Sequence, residues 1–558
     1  ITLYQLRTLP FFQLFLIFAA ALALFLWLVK ISLIYNDRLQ LVKELIRLIK
    51  EEKAIAAHRF YHRFNGSELS PAKHPYAGDL DLFGNASLFQ FMHRTTSEQG
   101  HQLLAKWLLE PAANDDILKR QEAAKELASK PAWGLQFEAI GHKHPISLAN
   151  RDQILNWSAT PPRYTIQTGW KIIRFAWPLI ALGALALNLV DLLPNGPFYL
   201  LVLVLFGLSF LFTGSIMPIY RQVDKMAASL NTISSSLEWF EKENFQSPAL
   251  QEMKRAIVSK HKQSAPAAIR ELGKILDRFD YRLNPLVFIP LNTFLLWDLQ
   301  QVWALEKWKA IFKDEIPQWF HTIAELEALN SISRFAFNHP AYTYPQLSGE
   351  PGVFKAKGLG HPLIPADRCV TNDFSTNGLP AIALITGSNM AGKSTFLRSI
   401  GINQVLALAG APVFADELTV SNMRIMSSMR IADNLEENTS TFYAELSKLK
   451  NILEAVNAGE RVFLLLDEIL RGTNSQDRQT GSKALIQQLI RQNATGLLAT
   501  HDLALTELKK DYPQAITNYH FDVSVEGEEL YFDYKLKEGI CTSMNASILM
   551  KKIGIEIS

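Results

Sequence analysis

Three long apolar runs break a pattern that is otherwise helical in its first part and mixed in its last. Phe11 to Val29, FFQLFLIFAAALALFLWLV, has only Gln13 as a polar residue. It matches the roughly 20 residues a helix needs to cross a hydrocarbon core. No A-x-A-like site with a polar follow-on is present, so the run reads as a retained anchor rather than a cleaved signal peptide. Phe175 to Val190 and Phe198 to Met217 form a second pair, joined through DLLPNGP, a Pro/Gly turn too short for anything but a hairpin. A shorter run, LVFIPLNTFLL (Leu286 to Leu296), cannot span and is expected to be a buried core helix.

The remaining pattern divides the chain. Asp37 to Arg63 is rich in Lys, Glu and Leu and predicts a helix continuous with the first span. HPYAGDLDLFGN (His74 to Asn85) is turn-rich. Helical spacing follows from Ala86 to Ser129, with Leu88, Phe91 and Met92, then Leu103, Leu104, Trp107 and Leu108. Gln222 to Leu283 and Trp303 to Phe335 are again helical and mixed in charge. From about Leu347, short β-rich runs (AIALIT, RVFLLL, TGLLAT) alternate with helices, which predicts an α/β domain with a largely parallel sheet. The expected organisation is an anchor helix (1–35), a helical region (36–165), a membrane hairpin (166–220), a second helical region (221–345) and the α/β domain (346–558). There is no internal repeat and no low-complexity tract.

Charge orients these parts. Lys171 and Arg174 precede the hairpin and Arg221 and Lys225 follow it, while its turn holds only Asp191. The positive-inside rule then puts both hairpin ends in the cytosol, and Lys30, Arg38, Lys43 and Arg47 put the C-terminal side of the first span there too. The expected location is a multi-pass protein of a bacterial inner membrane with its α/β domain in the cytoplasm. Within the hairpin Asn188 and Ser209 are about all that is offered in polar groups and neither helix carries a charge between its ends, too little for a transport path, so the spans read as anchors. Over all 558 residues, Lys plus Arg total 56 against 54 Asp plus Glu, which excludes a global positive field for nucleic acid. The two cysteines, Cys369 and Cys541, give no disulfide framework and suit a reducing compartment. The chain opens on Ile1, as a fragment or a processed chain would.

The chemistry gathers in the last part. Gly387-Ser388-Asn389-Met390-Ala391-Gly392-Lys393-Ser394, followed by Thr395, fits G-x-x-x-x-G-K-S/T at every fixed position, after a strand and before a helix. Its backbone N–H groups suit phosphates, with the helix dipole adding to the attraction. Lys393 would reach the β- and γ-phosphates of ATP, and Ser394 would ligate Mg²⁺. RVFLLLDE ends in Asp467, placed to hold the Mg²⁺, and Glu468, placed to orient or deprotonate the attacking water. TGLLATH ends in His501, suited to sensing the γ-phosphate.

TGSNMAGKSTFLRSIG, ADNLEENTSTFYAEL, LLLDEILRGTNSQD and LLATHDL occur in an order and spacing that resembles the MutS ATPase domain, from Leu347 to the end. Transporter ATPases carry an LSGGQ-type run instead, which is missing. The resemblance implies an α/β P-loop NTPase domain of MutS/ABC-like fold, C-terminal to an all-α MutS core-like region that here carries transmembrane helices. It implies an active site shared across a homodimer. Ser440 and Thr441 would reach the nucleotide of the partner subunit, with Arg471, Gly472, Thr473 and Asn474 at the shared face. Tyr534 would stack on adenine, and Cys369 stands where the family places a further aromatic. Upstream, TTSEQGHQLLAKWLLEP and ILKRQEA resemble the start of the MutS core, where Thr95, Gly100, Leu104, Trp107, Leu108, Pro111, Arg120 and Gln121 are expected to pack helices.

A mismatch-reading domain before the core and a nuclease-like module after the ATPase domain are not found, and 221–345 leaves little room for lever and clamp elements. The basic stretch MKRAIVSKHKQ, with Lys254, Arg255, Lys260, His261 and Lys262, offers contacts to DNA phosphates or to anionic lipid. Two readings follow: a membrane-tethered, DNA-binding ATPase of mismatch repair or recombination, and a nucleotide-driven mechanical switch acting on a membrane protein or lipid partner without DNA.

Overall fold

A single helix of 46 residues, α1 (Phe11–Ala56), carries the first apolar run directly into the first helical region. No Gly or Pro interrupts it, and its Leu, Ala, Lys and Glu residues are strong helix formers. It stops where His58 turns left-handed (φ 53°) and Arg59 N–H returns to Ala54 O. The computed structural model describes residues 11–258, 263–376, 378–388, 390–429, 441–526 and 529–541.

Among the described residues thirteen further α-helices precede the first strand: α2 (Leu88–Met92), α3 (Glu98–Leu109), α4 (Asn114–Ala128), α5 (Pro131–Lys143), α6 (Leu148–Ala159), α7 (Thr168–Leu189), α8 (Asn195–Asp224), α9 (Ala227–Lys242), α10 (Pro248–Ala256), α11 (Ala265–Phe279), α12 (Pro285–Leu295), α13 (Trp297–Phe312) and α14 (Ile316–Asn338). The centre of this region is α14, buried from Trp319 to Phe335 along most of its length and packed on α3 and α4. Ser97 caps α3, its Oγ accepting from Gly100 N–H at 3.0 Å, and Glu327 of α14 braces that cap, accepting from Ser97 Oγ at 2.5 Å and from Ser97 N–H at 3.2 Å. At Gly100 an added Cβ would stand 1.9 Å from Glu327 Oε2, so this close approach requires glycine. Gln121, also expected to pack, donates to Pro345 O at 3.1 Å, and Arg120 lies over the Trp107 ring at 4.0 Å.

Charge ties α1 into this core. Leu48, Glu52 and Ile55 face inward, and Arg94 donates through Nε and Nη2 to both Glu52 oxygens, with the Nη2 bond at 3.0 Å. Asn338 donates to Glu52 Oε2 at 2.5 Å. Burial pushes the Glu52 carboxyl up, but the charge and hydrogen bonds of Arg94 outweigh it and hold the group at about 2.

Among the described residues three helices are long and apolar enough to cross a membrane: α1, α7 and α8. The hairpin's polar groups are satisfied locally, Asn188 on Leu193 O at 2.9 Å and Ser209 on Phe206 O at 2.8 Å. The shorter apolar helix departs from expectation. In α12 only Phe288, Asn292 and Thr293 are buried, whereas Leu286, Val287 and Ile289 are exposed. It is not a core helix, because its polar residues face inward, toward α7 and α8, and its aliphatic ones face out.

The α/β part contains β1 (Gln346–Ser348), β2 (Phe354–Leu359), β3 (Asn372–Thr376), β4 (Ala381–Thr386), α15 (Lys393–Ala409), β5 (Glu417–Ser421), β6 (Arg424–Ser428), α16 (Thr441–Asn457), β7 (Val462–Asp467), α17 (Ser475–Arg491), β8 (Thr495–Ala499), α18 (Leu508–Asp511), β9 (Ile516–Glu526) and β10 (Glu529–Glu538). A six-stranded sheet runs β10-β9-β4-β8-β7-β6, parallel except for β10, and a four-stranded mixed sheet runs β1-β5-β2-β3. β4, β7 and β8 are almost wholly buried, as apolar parallel strands covered on both faces must be. The parallel register puts the C-terminal ends of β4, β8 and β7 side by side, the usual place for a ligand crevice in such sheets.

Candidate functional site

The loop between β4 and α15 is shaped by its two glycines. Gly387 (φ 145°) would put a Cβ 2.9 Å from Phe521 O, and Gly392 (φ 97°) would put one 3.1 Å from the Tyr534 ring. Ala391 N–H donates to Ser388 O at 3.2 Å, closing the loop on itself. Met390 is exposed, Thr395 is exposed at the start of α15, and Asn389 lies outside the described residues. Lys393, the first residue of α15, is only 2% exposed. Its Nζ donates to Gly387 O at 2.9 Å and Ser388 O at 2.8 Å, and lies 3.4 Å from His501 Nε2. Burial draws the ammonium pKa down, while Glu468 and Asp467 oppose that shift.

Beside the loop, Ser394 Oγ donates to Asp467 Oδ2 at 2.5 Å. Burial raises the Asp467 carboxyl, and the Ser394 bond partly offsets it. Asp467 Oδ1 and Ser388 Oγ are buried without a hydrogen-bond partner among the described residues. A hydroxyl, a carboxylate with an unused oxygen and a buried lysine under a glycine loop fit a Mg²⁺–phosphate group. Among the described residues there is no group of three or more His, Cys, Asp or Glu that could hold a metal ion.

Glu468 follows β7 with φ 48°, its N–H bonded to Ala499 O of the neighbouring strand at 2.9 Å. Its carboxylate meets His501 Nε2 at 2.5 Å and Arg471 Nε at 3.0 Å. The His501 bond holds the Glu468 carboxyl below the ordinary carboxylate range, against the effect of burial. A cleft of about 740 Å³ opens beside this pair, lined by Arg471, Gln479, Ser482, Thr500 and Asp502 among others.

The expected dimer face is described in part. Asn474 caps α17, accepting from Asp477 N–H at 2.8 Å. Gly472 leaves no room for a side chain, since a Cβ would stand 2.6 Å from Phe442 Cβ, and Thr473 follows it in the bend that leads to Asn474. Ser440 lies outside the described residues, and Thr441 is described only as the start of α16. Sequence reasoning missed Glu445, which is buried and accepts from Leu470 N–H, fastening α16 to the turn after Glu468. Its signal was an acid at a helical position that would otherwise face the core.

Tyr534 sits at a bulge in β10 (φ 51°), next to Gly392, with Asn372 donating to its carbonyl at 3.1 Å. Cys369 is half-buried and accepts from His361 N–H at 3.3 Å. The basic stretch is not brought to this site. Lys254 donates to Glu243 O at 2.7 Å at the end of α10, a helix that packs on α4 and α14; Arg255 beside it is exposed, and Lys260 and Lys262 lie outside the described residues.

Residues 383–553 match the family model described as MutS domain V. Proteins named DNA mismatch repair protein MutS from Thermotoga petrophila, Thermotoga sp. (strain RQ2) and Thermotoga maritima are 32%, 31% and 31% identical to the chain over 234 residues. Over this region the chain is similar to MutS proteins. The aligned part is 41% of this chain and 29% of each relative, so less than a third of the relatives' length is spanned. The MutS domain V match takes in the Gly387 loop, Asp467, Glu468, His501 and Tyr534.

Proposed function

We propose that this chain is a Mg²⁺-dependent ATPase of MutS type that acts as a homodimer and is held in a membrane by α1 and the α7–α8 hairpin, with the 346–558 domain on the cytoplasmic side. One observation carries the reading: the glycine loop, Ser394 with Asp467, and Glu468 with His501 converge at the ends of three adjacent parallel strands. Mg-ATP, when bound, supplies the phosphoanhydride whose cleavage drives the cycle. The chain's own groups have separate tasks. The backbone of residues 387–392 and Lys393 bind phosphate, and Ser394 with Asp467 Oδ1 holds the cation. Glu468 accepts a proton from water, and His501 and Arg471 fix the direction of that carboxylate. Tyr534 offers a face for adenine. Ser440, Thr441, Gly472, Thr473 and Asn474 are assigned to the partner's nucleotide.

For the coupled process, the relatives' name favours DNA mismatch repair, with duplex DNA as the partner. The burial of Glu52 against Arg94 favours the second reading, because it joins the proposed anchor helix to the core by charge as well as packing. In that reading closure of the dimer moves the helices against a membrane protein or lipid partner. The deciding experiment is the ATPase rate of the full chain in nanodiscs with and without duplex, mismatched and branched DNA at two salt concentrations. A salt-sensitive change with DNA supports the repair reading. An unchanged rate with every DNA removes it and leaves the mechanical switch.

A further inference from the structure

The segment between α11 and α13 leaves the helical core, runs along the hairpin and returns to the point it left. On the way out, Tyr220 near the end of α8 donates to Asp280 Oδ1 at 2.8 Å, and Arg282 lies 4.7 Å over the same ring. Further along, Phe288 meets Phe210 edge-on with centroids 6.4 Å apart, and Asn292 donates to Thr213 Oγ1 at 3.0 Å. Trp177 of α7 donates to Thr293 O at 2.8 Å. On the return, Trp297 stacks on Tyr281 at 5.8 Å and donates to Arg278 O at 2.8 Å, while Asp298 pairs with the buried Arg282 at 3.2 Å. The two ends are therefore clamped together.

Phe210 lies inside the apolar run of α8, about 10 Å along the helix from Met217 at 1.5 Å per residue. The outer face of the segment is the reverse of what water selects. Leu286 is 86% exposed and Leu283 71%, with Val287 and Ile289 beside them, whereas Asn292 and Thr293 are buried. A short apolar helix is a core helix or a re-entrant one, and these exposures remove the first option. Irregular backbone is tolerated at membrane depth where protein covers it, and the left-handed Leu296 (φ 47°) is buried.

We propose that residues 281–297 form a re-entrant element that enters and leaves the cytosolic leaflet on the same side. Leu283, Leu286, Val287 and Ile289 face lipid acyl chains, and the Tyr281–Trp297 pair lies at headgroup level. The proposal rests on the reading of α7–α8 as a membrane hairpin, whose lipid face it extends. It also gives the bilayer a second handle on the nucleotide site, because α13 and α14 continue from it and α14 packs on the same α3 and α4 that support α15.

The test uses the full chain carrying Cys369→Ala and Cys541→Ala, with one cysteine introduced at Leu286 or, as a second variant, at Leu283. Controls place it at Leu203 in the hairpin or at Leu118 on α4. Each is labelled with an environment-sensitive fluorophore and placed in phosphatidylcholine/phosphatidylglycerol nanodiscs with plain or brominated acyl chains. Brominated lipid is expected to remove most of the emission at positions 286, 283 and 203 and none at 118. Quenching at 203 with aqueous iodide, not lipid, reaching 286 and 283 would overturn the re-entrant element and leave the hairpin standing. Protection of 286 and 283 from both quenchers would overturn it in favour of a protein cover. Loss of lipid quenching at 203 as well would overturn the hairpin reading and this proposal together.

Discussion

Glu468 Oε1 stands 2.5 Å from His501 Nε2, across the ends of the neighbouring parallel strands β7 and β8. Arg471 holds the other carboxylate oxygen at 3.0 Å. The carboxylate is thus fixed in direction and kept ionised, with its pKa held down by the His501 bond. His501→Ala should leave ATP affinity near wild type and lower turnover by about 10-fold or more, a smaller loss than removal of the base itself. Steady-state rates with a separate measurement of nucleotide binding check this split.

Ser394 and Asp467 form the other half of the site. Asp467→Ala removes a carboxylate whose Oδ1 has no hydrogen-bond partner among the described residues. The Mg²⁺ concentration for half-maximal turnover should rise by about 10-fold or more, as loss of a metal-site group commonly costs. Lys393→Ala should act differently, weakening ATP binding and turnover together. Titration of rate against Mg²⁺ and against ATP separates the two effects.

The Glu52–Arg94 pair predicts a stability effect far from the nucleotide. Arg94→Leu leaves a buried carboxylate facing Arg334 at 3.6 Å and Asn338, without its main partner. Removing one side of a buried pair costs about 3–5 kcal/mol, and adding Glu52→Gln should return much of it. Thermal unfolding of the single and double variants in the same detergent measures both.

Acid should destabilise the fold in two stages. Burial lowers His339 and His361 to about 4 each, so the folded chain resists protonation that the unfolded chain accepts near the ordinary histidine pKa of about 6.5. The unfolded state binds more protons in that window, so stability should be flat above about pH 6.5 and fall as pH drops toward 4. Glu52, held at about 2, adds a loss that begins as pH falls through the ordinary glutamate value of 4.5 and runs toward pH 2. His361→Gln should flatten the first stage of a melting-temperature profile taken between pH 7 and 4.

What the sequence made legible was what lies close together along it. The Gly387 loop needs only a strand, consecutive loop residues and a helix start, so its elements could be read from one window of the chain. The parallel β4, β7 and β8 could be read from their unbroken apolar runs. Pairings distant in sequence could not. Nothing near Glu52 announces Arg94, and nothing near Glu327 announces the Ser97 cap it braces. α12 was misread because length and hydropathy do not say which way an apolar helix faces. The clue was the polar stripe of Asn292 and Thr293 beneath Phe288, which marks a side turned toward other helices. For Lys254, expected to contact DNA phosphate or anionic lipid, the sequence did not show that its Nζ donates to Glu243 O.

The most direct test of the central claim is ATP turnover by the full chain in nanodiscs, wild type against Glu468→Ala, each with Mg²⁺ and with EDTA, with nucleotide binding measured on the same samples. Mg²⁺-dependent hydrolysis by the wild type, reduced by about 100-fold or more in Glu468→Ala with ATP still bound, is the expected result. Equal turnover by the two proteins, or no nucleotide binding by either, would contradict the assignment of this site.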